Sequence, residues 1–120
     1  LLGYLDGDGL PNLAFSSPHG SPHNRVEAGR IHIIHGQSGP WSSTINLRWG
    51  LQPDAMDVRI SEVHGVKALD VLCYSAGAGD YDGDGIDDLI VNEMLGDGVS
   101  PETANTGNVI LISGALIQAL

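Results

Sequence analysis

A short alternation of aspartate and glycine occurs twice in this chain, and it limits the possible folds more than any other feature. Gly3-Tyr4-Leu5-Asp6-Gly7-Asp8-Gly9-Leu10-Pro11-Asn12-Leu13 returns as Gly79-Asp80-Tyr81-Asp82-Gly83-Asp84-Gly85-Ile86-Asp87-Asp88-Leu89 at an offset of 76 residues. A second match follows each loop: Gly29-Arg30-Ile31-His32-Ile33-Ile34-His35-Gly36 aligns with Gly107-Asn108-Val109-Ile110-Leu111-Ile112-Ser113-Gly114 at an offset of 78. Self-similarity at a fixed period marks a repeat architecture, in which each copy is one supersecondary unit that needs a neighbour to bury its apolar face. The acidic residues are concentrated accordingly. Eleven of the 15 acids are Asp, and five of those lie between Asp80 and Asp88.

Each copy reads as loop, strand, polar connection, strand. Leu13-Ala14-Phe15 and Leu89-Ile90-Val91 follow the loops directly, and the later runs are rich in β-branched residues and bounded by glycine, as strands are. Val109-Ile110-Leu111-Ile112 is apolar on both faces, which predicts a strand covered on both sides. Asp57-Val58-Arg59-Ile60-Ser61 alternates polar and apolar, as an outer strand with one wet face does. Leu69 to Tyr74 reads as a strand entering the second loop, Ser16 to Asn24 and Gly36 to Ser43 as turn-rich connections, and Ala115 to Leu120 as a short helix or a connection. With 120 residues, 42% of them hydrophobic, the chain has the composition of one ordinary globular domain. A formal charge of −10 is the opposite of the basic footprint that nucleic-acid backbones require, so no nucleic-acid partner is expected. No apolar run approaches the roughly 18 to 20 residues that a membrane span needs.

The chemistry of the second loop is specific. Carboxylates at positions 1, 3, 5 and 9 are Asp80, Asp82, Asp84 and Asp88, with Gly85 at the turn and the Ile86 carbonyl as the position-7 ligand. All are hard oxygen donors, which suits Ca²⁺ better than zinc or copper and offers more protein ligands than Mg²⁺ accepts. Without a cation such a set repels itself, since unit charges about 4 Å apart interact by roughly 1 to 4 kcal/mol depending on the dielectric. An EF-hand or dockerin-like loop starts with the same grammar but closes with an acidic residue at position 12 and continues as a helix; position 12 here is Val91, inside an apolar run. The first loop is degraded. Tyr4 stands at position 1 and Asn12 at position 9, leaving Asp6, Asp8, the Leu10 carbonyl and Asn12 as a weaker candidate set.

These stretches resemble the FG-GAP repeat, the blade unit of the integrin alpha-subunit β-propeller and of many bacterial surface proteins. The family's Gly-Ala-Pro falls on Ser16-Ser17-Pro18, which keeps only the proline, and on Asn92-Glu93-Met94, which keeps none; its Phe-Gly is matched at best by His64-Gly65. The resemblance implies an all-β fold of about two propeller blades, with four-stranded antiparallel sheets, and a Ca²⁺-binding loop between the first two strands of each blade. Residues 1–62 are expected to form the first blade, lacking its first strand, and residues 63–120 the second, ending after its third. A full ring of about seven blades is implied, so the chain is expected to be a fragment of a larger ring or a protomer that completes one with other copies. The implied function is that of a calcium-binding, non-catalytic segment of an extracellular or cell-surface adhesion protein, with a protein or glycan ligand bound through the complete propeller. A repeat appended to a secreted hydrolase and a structural spacer are the alternatives.

The remaining chemistry-bearing residues offer no catalytic set. His19 and His23 are four residues apart, but Pro18 and Pro22 argue against the helix that would make that spacing converge. His32 aligns with Ile110 and is expected to be a partly buried packing residue, and His35 aligns with Ser113 at a strand end. There is no Gly-x-Ser-x-Gly elbow, and a Ser, His, Asp set cannot be assembled from the sequence. Cys73 reads as a small core residue, and Trp41 and Trp49, with Ile45 and Leu47, as sheet packing.

Overall fold

The computed structural model describes residues 1–41, 45, 58–99 and 101–120. Among them, strands β1 (Leu2–Gly3), β2 (Asn12–Ser17), β3 (Arg30–Ile34) and β4 (Ile60–His64) form one antiparallel sheet in sequential order. Strands β5 (Leu72–Gly79), β6 (Asp88–Glu93) and β7 (Asn108–Ile112) form a second, followed by helix α1 (Gly114–Ala119). The fold is all-β, as the sequence predicts. Two expectations shift. The first copy carries a strand ahead of its loop after all, because Leu2 and Gly3 pair with Leu13 and Asn12. The outer strand expected over Asp57 to Ser61 is seen from Ile60 to His64, on the edge of the first sheet, with Asp57 outside the described residues. Trp49 and Leu47 lie outside the described residues, whereas Trp41 lines a shallow groove with Leu13, Ile34 and Ile45.

The strand expected over Leu69 to Tyr74 starts later and reaches Gly79, for a backbone reason. Leu69, Val71 and Cys73 adopt left-handed φ values of 70°, 57° and 63°. Side chains rarely tolerate this, β-branched ones least, so surrounding contacts must hold the segment. They do: Leu69, Val71 and Leu72 donate their amides to the carbonyls of Val26, Glu27 and Ala28 at 2.8, 3.1 and 3.0 Å. The segment entering the second sheet is thereby stitched to the connection between β2 and β3. Gly29 is required where the two backbones meet, since a Cβ there would lie 2.5 Å from the Leu72 nitrogen.

Register decides which side chains share a face. Ala14 pairs with Ile33, Ser16 with Ile31 and Val63 with Ile31, so these residues line one face of the first sheet; Leu13, Phe15, His32, Ile34 and Glu62 line the other. In the second sheet Leu89 pairs with Ile112 and Val91 with Ile110, while Ile90 and Leu111 lie opposite. The core joins Ala14, Ile31 and Ile33 to Leu72, Cys73, Leu89, Val91 and Ile112, with Leu5 and Ile117 sealing the loop end. The sheets therefore stack face to back. Since equivalent positions in the two copies are not the ones that meet, the far face of the second sheet stays open: Val109 is 79% and Leu111 51% exposed. The expectation of a β7 covered on both sides holds on one side only, because no described element packs on the other.

Leu89 is fully buried between the sheets. Leu89→Ala should cost about 2–5 kcal/mol through lost transfer energy and a residual cavity. Leu111→Ala on the open face should stay within about 0.5 kcal/mol. Urea unfolding of both variants tests the stacking, and equal losses would contradict it.

Candidate metal centre

The second Asp-rich loop links β5 to β6, and its carboxylates build its shape. Asp80 accepts the Gly83 and Asp84 amides through Oδ1 at 2.8 and 3.1 Å and the Gly85 amide through Oδ2 at 2.9 Å. Asp82 Oδ1 accepts the Asp84 amide at 3.1 Å, and Asp84 Oδ1 accepts the Ile86 amide at 2.9 Å. Gly83 and Gly85 supply the left-handed turns, with φ of 79° and 87°. Asp88, fully buried at the start of β6, holds the loop's exit: Oδ1 accepts the Gly114 amide at 2.9 Å and Oδ2 accepts the amides of Tyr81 and Asp82 at 2.8 and 3.3 Å.

The expected ligands converge in part. Asp80, Asp82 and Asp88 each bring a carboxylate oxygen within 4.8 Å of the others. Asp84 is turned onto the Ile86 amide and stands outside that trio. The electrostatics are those of crowded anions. The Asp84 amide favours the charged form of Asp82, but desolvation and the charges of Asp84 and Asp88 push its carboxyl above the usual value. Asp88 is held below it, first by the Gly114 amide and then by those of Tyr81 and Asp82, against the cost of desolvation. The trio therefore sets a firmly ionised Asp88 beside an Asp82 whose charge its neighbours resist, and its all-oxygen donor set fits Ca²⁺.

The first loop repeats the skeleton without the cluster. Asp6 Oδ1 accepts the Asp8 amide, Asp8 Oδ1 the Leu10 amide, and Asn12 Oδ1 the Leu5 amide, at 3.4, 2.8 and 2.7 Å, each bond displaced by 76 residues from its counterpart in the second loop. Tyr4, in the place of Asp80, is half exposed and pairs its backbone with Asp87: its amide donates to Asp87 Oδ2 at 2.9 Å and its carbonyl accepts the Asp87 amide at 3.0 Å. The two loops thus lie side by side. The Asp6 carboxylate is engaged from within the protein. Its Oδ2 accepts Asn12 Nδ2 at 3.0 Å and lies 2.6 Å from His35 Nδ1, with the half-exposed Arg59 guanidinium 3.9 Å away. His35 Nε2 in turn lies 2.8 Å from Ser61 Oγ.

Asp6, His35 and Ser61 form the Ser, His, Asp set that sequence could not assemble, since 29 and 26 residues separate the partners. Their exposures of 3%, 3% and 8% leave a substrate carbonyl no approach to Ser61 Oγ. The set is a structural relay that fills the space beside Asp6. Burial works against the charge of Asp6, but hydrogen bonds from His35, Asp8 and Asn12 outweigh it and hold the carboxyl below its usual value.

His19 and His23 are exposed, as expected for a loop; Pro22–Asn24 is a single 3₁₀ turn with His23 at φ 50°. His32 is almost wholly buried. Cys73 is a core residue whose thiol burial pushes up, which disfavours the reactive thiolate.

Two stacked antiparallel sheets, each with an aspartate loop between its first two strands, define a β-propeller segment. Residues 74–112, from within β5 to the end of β7, match the family model of the FG-GAP repeat. Repeats of this family form β-propeller blades. No curated protein matches the chain.

Because the folded-state value of Asp6 is lowered, its stabilisation is complete above the ordinary carboxylate range and is lost as pH falls through that lowered value. Asp6→Asn should therefore cost about 1–3 kcal/mol at neutral pH. The gap between wild type and variant should close below about pH 4. Chemical denaturation across pH measures it.

Proposed function

We propose that this chain is a calcium-stabilised, non-catalytic pair of propeller blades, divided between His64 and Leu72, from a protein that works in adhesion or recognition outside the cell. The convergence of Asp80, Asp82 and Asp88 on one point at the mouth of β6 carries the reading. Asp84 and the Ile86 carbonyl, which follow in the same loop, complete the oxygen set. The ion would tie the β5–β6 turn to Gly114 through Asp88, and so to the loop end of the core where Ile117 is buried. Millimolar extracellular Ca²⁺ matches modules whose dissociation constants are on the order of 10⁻⁴ to 10⁻³ M.

The open face of the second sheet supports a longer array. Ile90, Val109 and Leu111 stand at the repeat positions of Ala14, Ile31 and Ile33, which in the first sheet are covered by the second. A further blade placed by the same step would cover them, and that blade belongs to the rest of a propeller or to another copy. The assembled ring would present its loops to a protein or glycan ligand. Among the described residues no helix is long and apolar enough to cross a membrane.

One ion per chain is expected rather than two. Tyr4 replaces the position-1 carboxylate, and the Asp6 carboxylate is already satisfied by Asn12 and His35. Calorimetric titration of Ca²⁺ into chelator-stripped protein should give a single site. A hundredfold excess over the dissociation constant should stabilise the fold by about 2.7 kcal/mol. Asp80→Asn should abolish both effects. A folded chain that takes up no calcium would reduce the loop to an acidic turn, and two ions would return the first loop to the ligand set.

A further inference from the structure

The face of the first sheet that turns away from the core carries a buried ionisable group that packing does not require. Arg30 and His32 of β3 lie on it with Glu62 and His64 of β4, since Arg30 pairs with His64 and His32 with Glu62. His32 stands where the second copy has Ile110, and it is only 4% exposed. Phe15, opposite His32 on β2, stacks on its ring at 5.3 Å and 24° and holds the imidazole in place. An apolar side chain fills the same position in the other blade.

The charges around His32 are unequal. Glu62 is shared between two rings: Oε1 lies 3.3 Å from His32 Nδ1, and Oε2 lies 2.7 Å from His64 Nε2. Arg30 adds a positive charge from β3 itself. From the 3₁₀ turn, His23 packs its ring on that of His64 with centroids 5.0 Å apart, and Arg25 Nε donates to the Gly65 carbonyl next in sequence to His64. β2 contributes Phe15 and Ser17, which carry no charge. One carboxylate offsets one added charge, so protonating both His32 and His64 leaves an excess of positive charge between β3 and β4. The strand free to give way is β4, which lies at the sheet edge and pairs with β3 alone, whereas β3 is fixed between two strands and anchors Ile31 and Ile33 in the core.

We propose that His32 is an acid-sensitive latch on β4: neutral, it lets the outer strand pair with β3, and protonated, it loosens that strand and bares the edge of β3. The two resolved shifts around it agree in sign. Desolvation, with the charges of Arg30 and His64, holds His32 below its usual value against the pull of Glu62. Above the ordinary imidazole value of about 6.5, neither the folded nor the unfolded chain holds this proton; below it the unfolded chain accepts one that the folded chain resists, so stability falls with pH. Burial works against the charge of Glu62, but the His64 hydrogen bond and the charges of Arg30 and His32 outweigh it, so its own contribution is lost only lower, in the carboxylate range. His35 also reaches β4, through Ser61, but it has its own counter-charge in Asp6 at 2.6 Å.

The test is amide hydrogen exchange of the full chain from about pH 7.5 to about pH 5.5, either side of the ordinary imidazole value. Rates are expressed as protection factors, which cancels the intrinsic pH dependence of exchange. Ca²⁺ is held in excess throughout, so the outcome does not depend on the calcium reading. The Gly65 amide, bonded to the Gly29 carbonyl, and the Ser61 and Val63 amides, in phase with it along the ladder, should lose about tenfold or more in protection. Those of β6, central in the second sheet, should change little. His32→Ile, the choice of the second copy, should keep its protection across the range. His32→Gln, polar but without a titrating group, checks the same point where isoleucine disturbs the packing, and circular dichroism shows that each variant folds. Protection in β4 that does not change with pH overturns the proposal. So does a loss shared equally by β6, which is global unfolding, or a loss that persists in the folded variants, which assigns the response to His35.

Discussion

The stacking of one sheet on the back of the other is the interaction on which the rest depends. Leu89, Val91 and Ile112 bury themselves against Ala14, Ile31 and Ile33. That contact is non-directional, and backbone hydrogen bonds set its placement. The left-handed segment from Leu69 to Val71 donates to the carbonyls of Val26 and Glu27 at one end, and Tyr4 pairs with Asp87 at the other. Strain at Val71 is tolerated because these bonds and the core over-determine the segment. The two aspartate loops come to lie side by side for the same reason.

The two loops are one backbone solution carrying two electrostatic solutions. Both are drawn tight by aspartates accepting amides two residues on, which is what Asx turns do, and both use glycine where φ is positive. The second loop gathers anions and leaves them facing one another. The first removes two of them, by Tyr4 and Asn12, and satisfies a remaining carboxylate with an amide and an imidazole. Internal donors cost side-chain entropy and buried polar surface, but they hold the turn without help from outside the chain. The two loops therefore differ in charge, one gathering carboxylates and its neighbour satisfying one from within.

The stacking also has a direction. Because the buried face of the second sheet is equivalent to the Leu13, Phe15, His32 and Ile34 face of the first, the contact is heterologous, joining different faces of the two copies. The two outward faces of the pair differ in character, however. The second sheet shows Ile90, Val109 and Leu111, whereas the first shows a histidine and glutamate group with Phe15. Degeneracy of the repeat has been used differently at each end.

The sequence by itself determined the repeat, the all-β class and the loop skeleton, because each is written in local spacing. Two glycines at fixed positions and alternate aspartates specify a turn whatever surrounds it. It also determined most strand positions, since β-branched runs bounded by glycine leave few alternatives. The late start of β5 was not legible, because left-handed backbone at Val71 contradicts local propensity and exists only through bonds to Val26 and Glu27. Nor was the fate of Asp6, which depends on His35 just after β3 and Ser61 in β4, or the pairing of Glu62 with His32 and His64. Which face of β7 is covered was likewise undecidable from a run apolar on both sides. Tertiary structure alone settled these, because burial and pairing of distant side chains are set by register and stacking, and neither has a signature within any single stretch of chain.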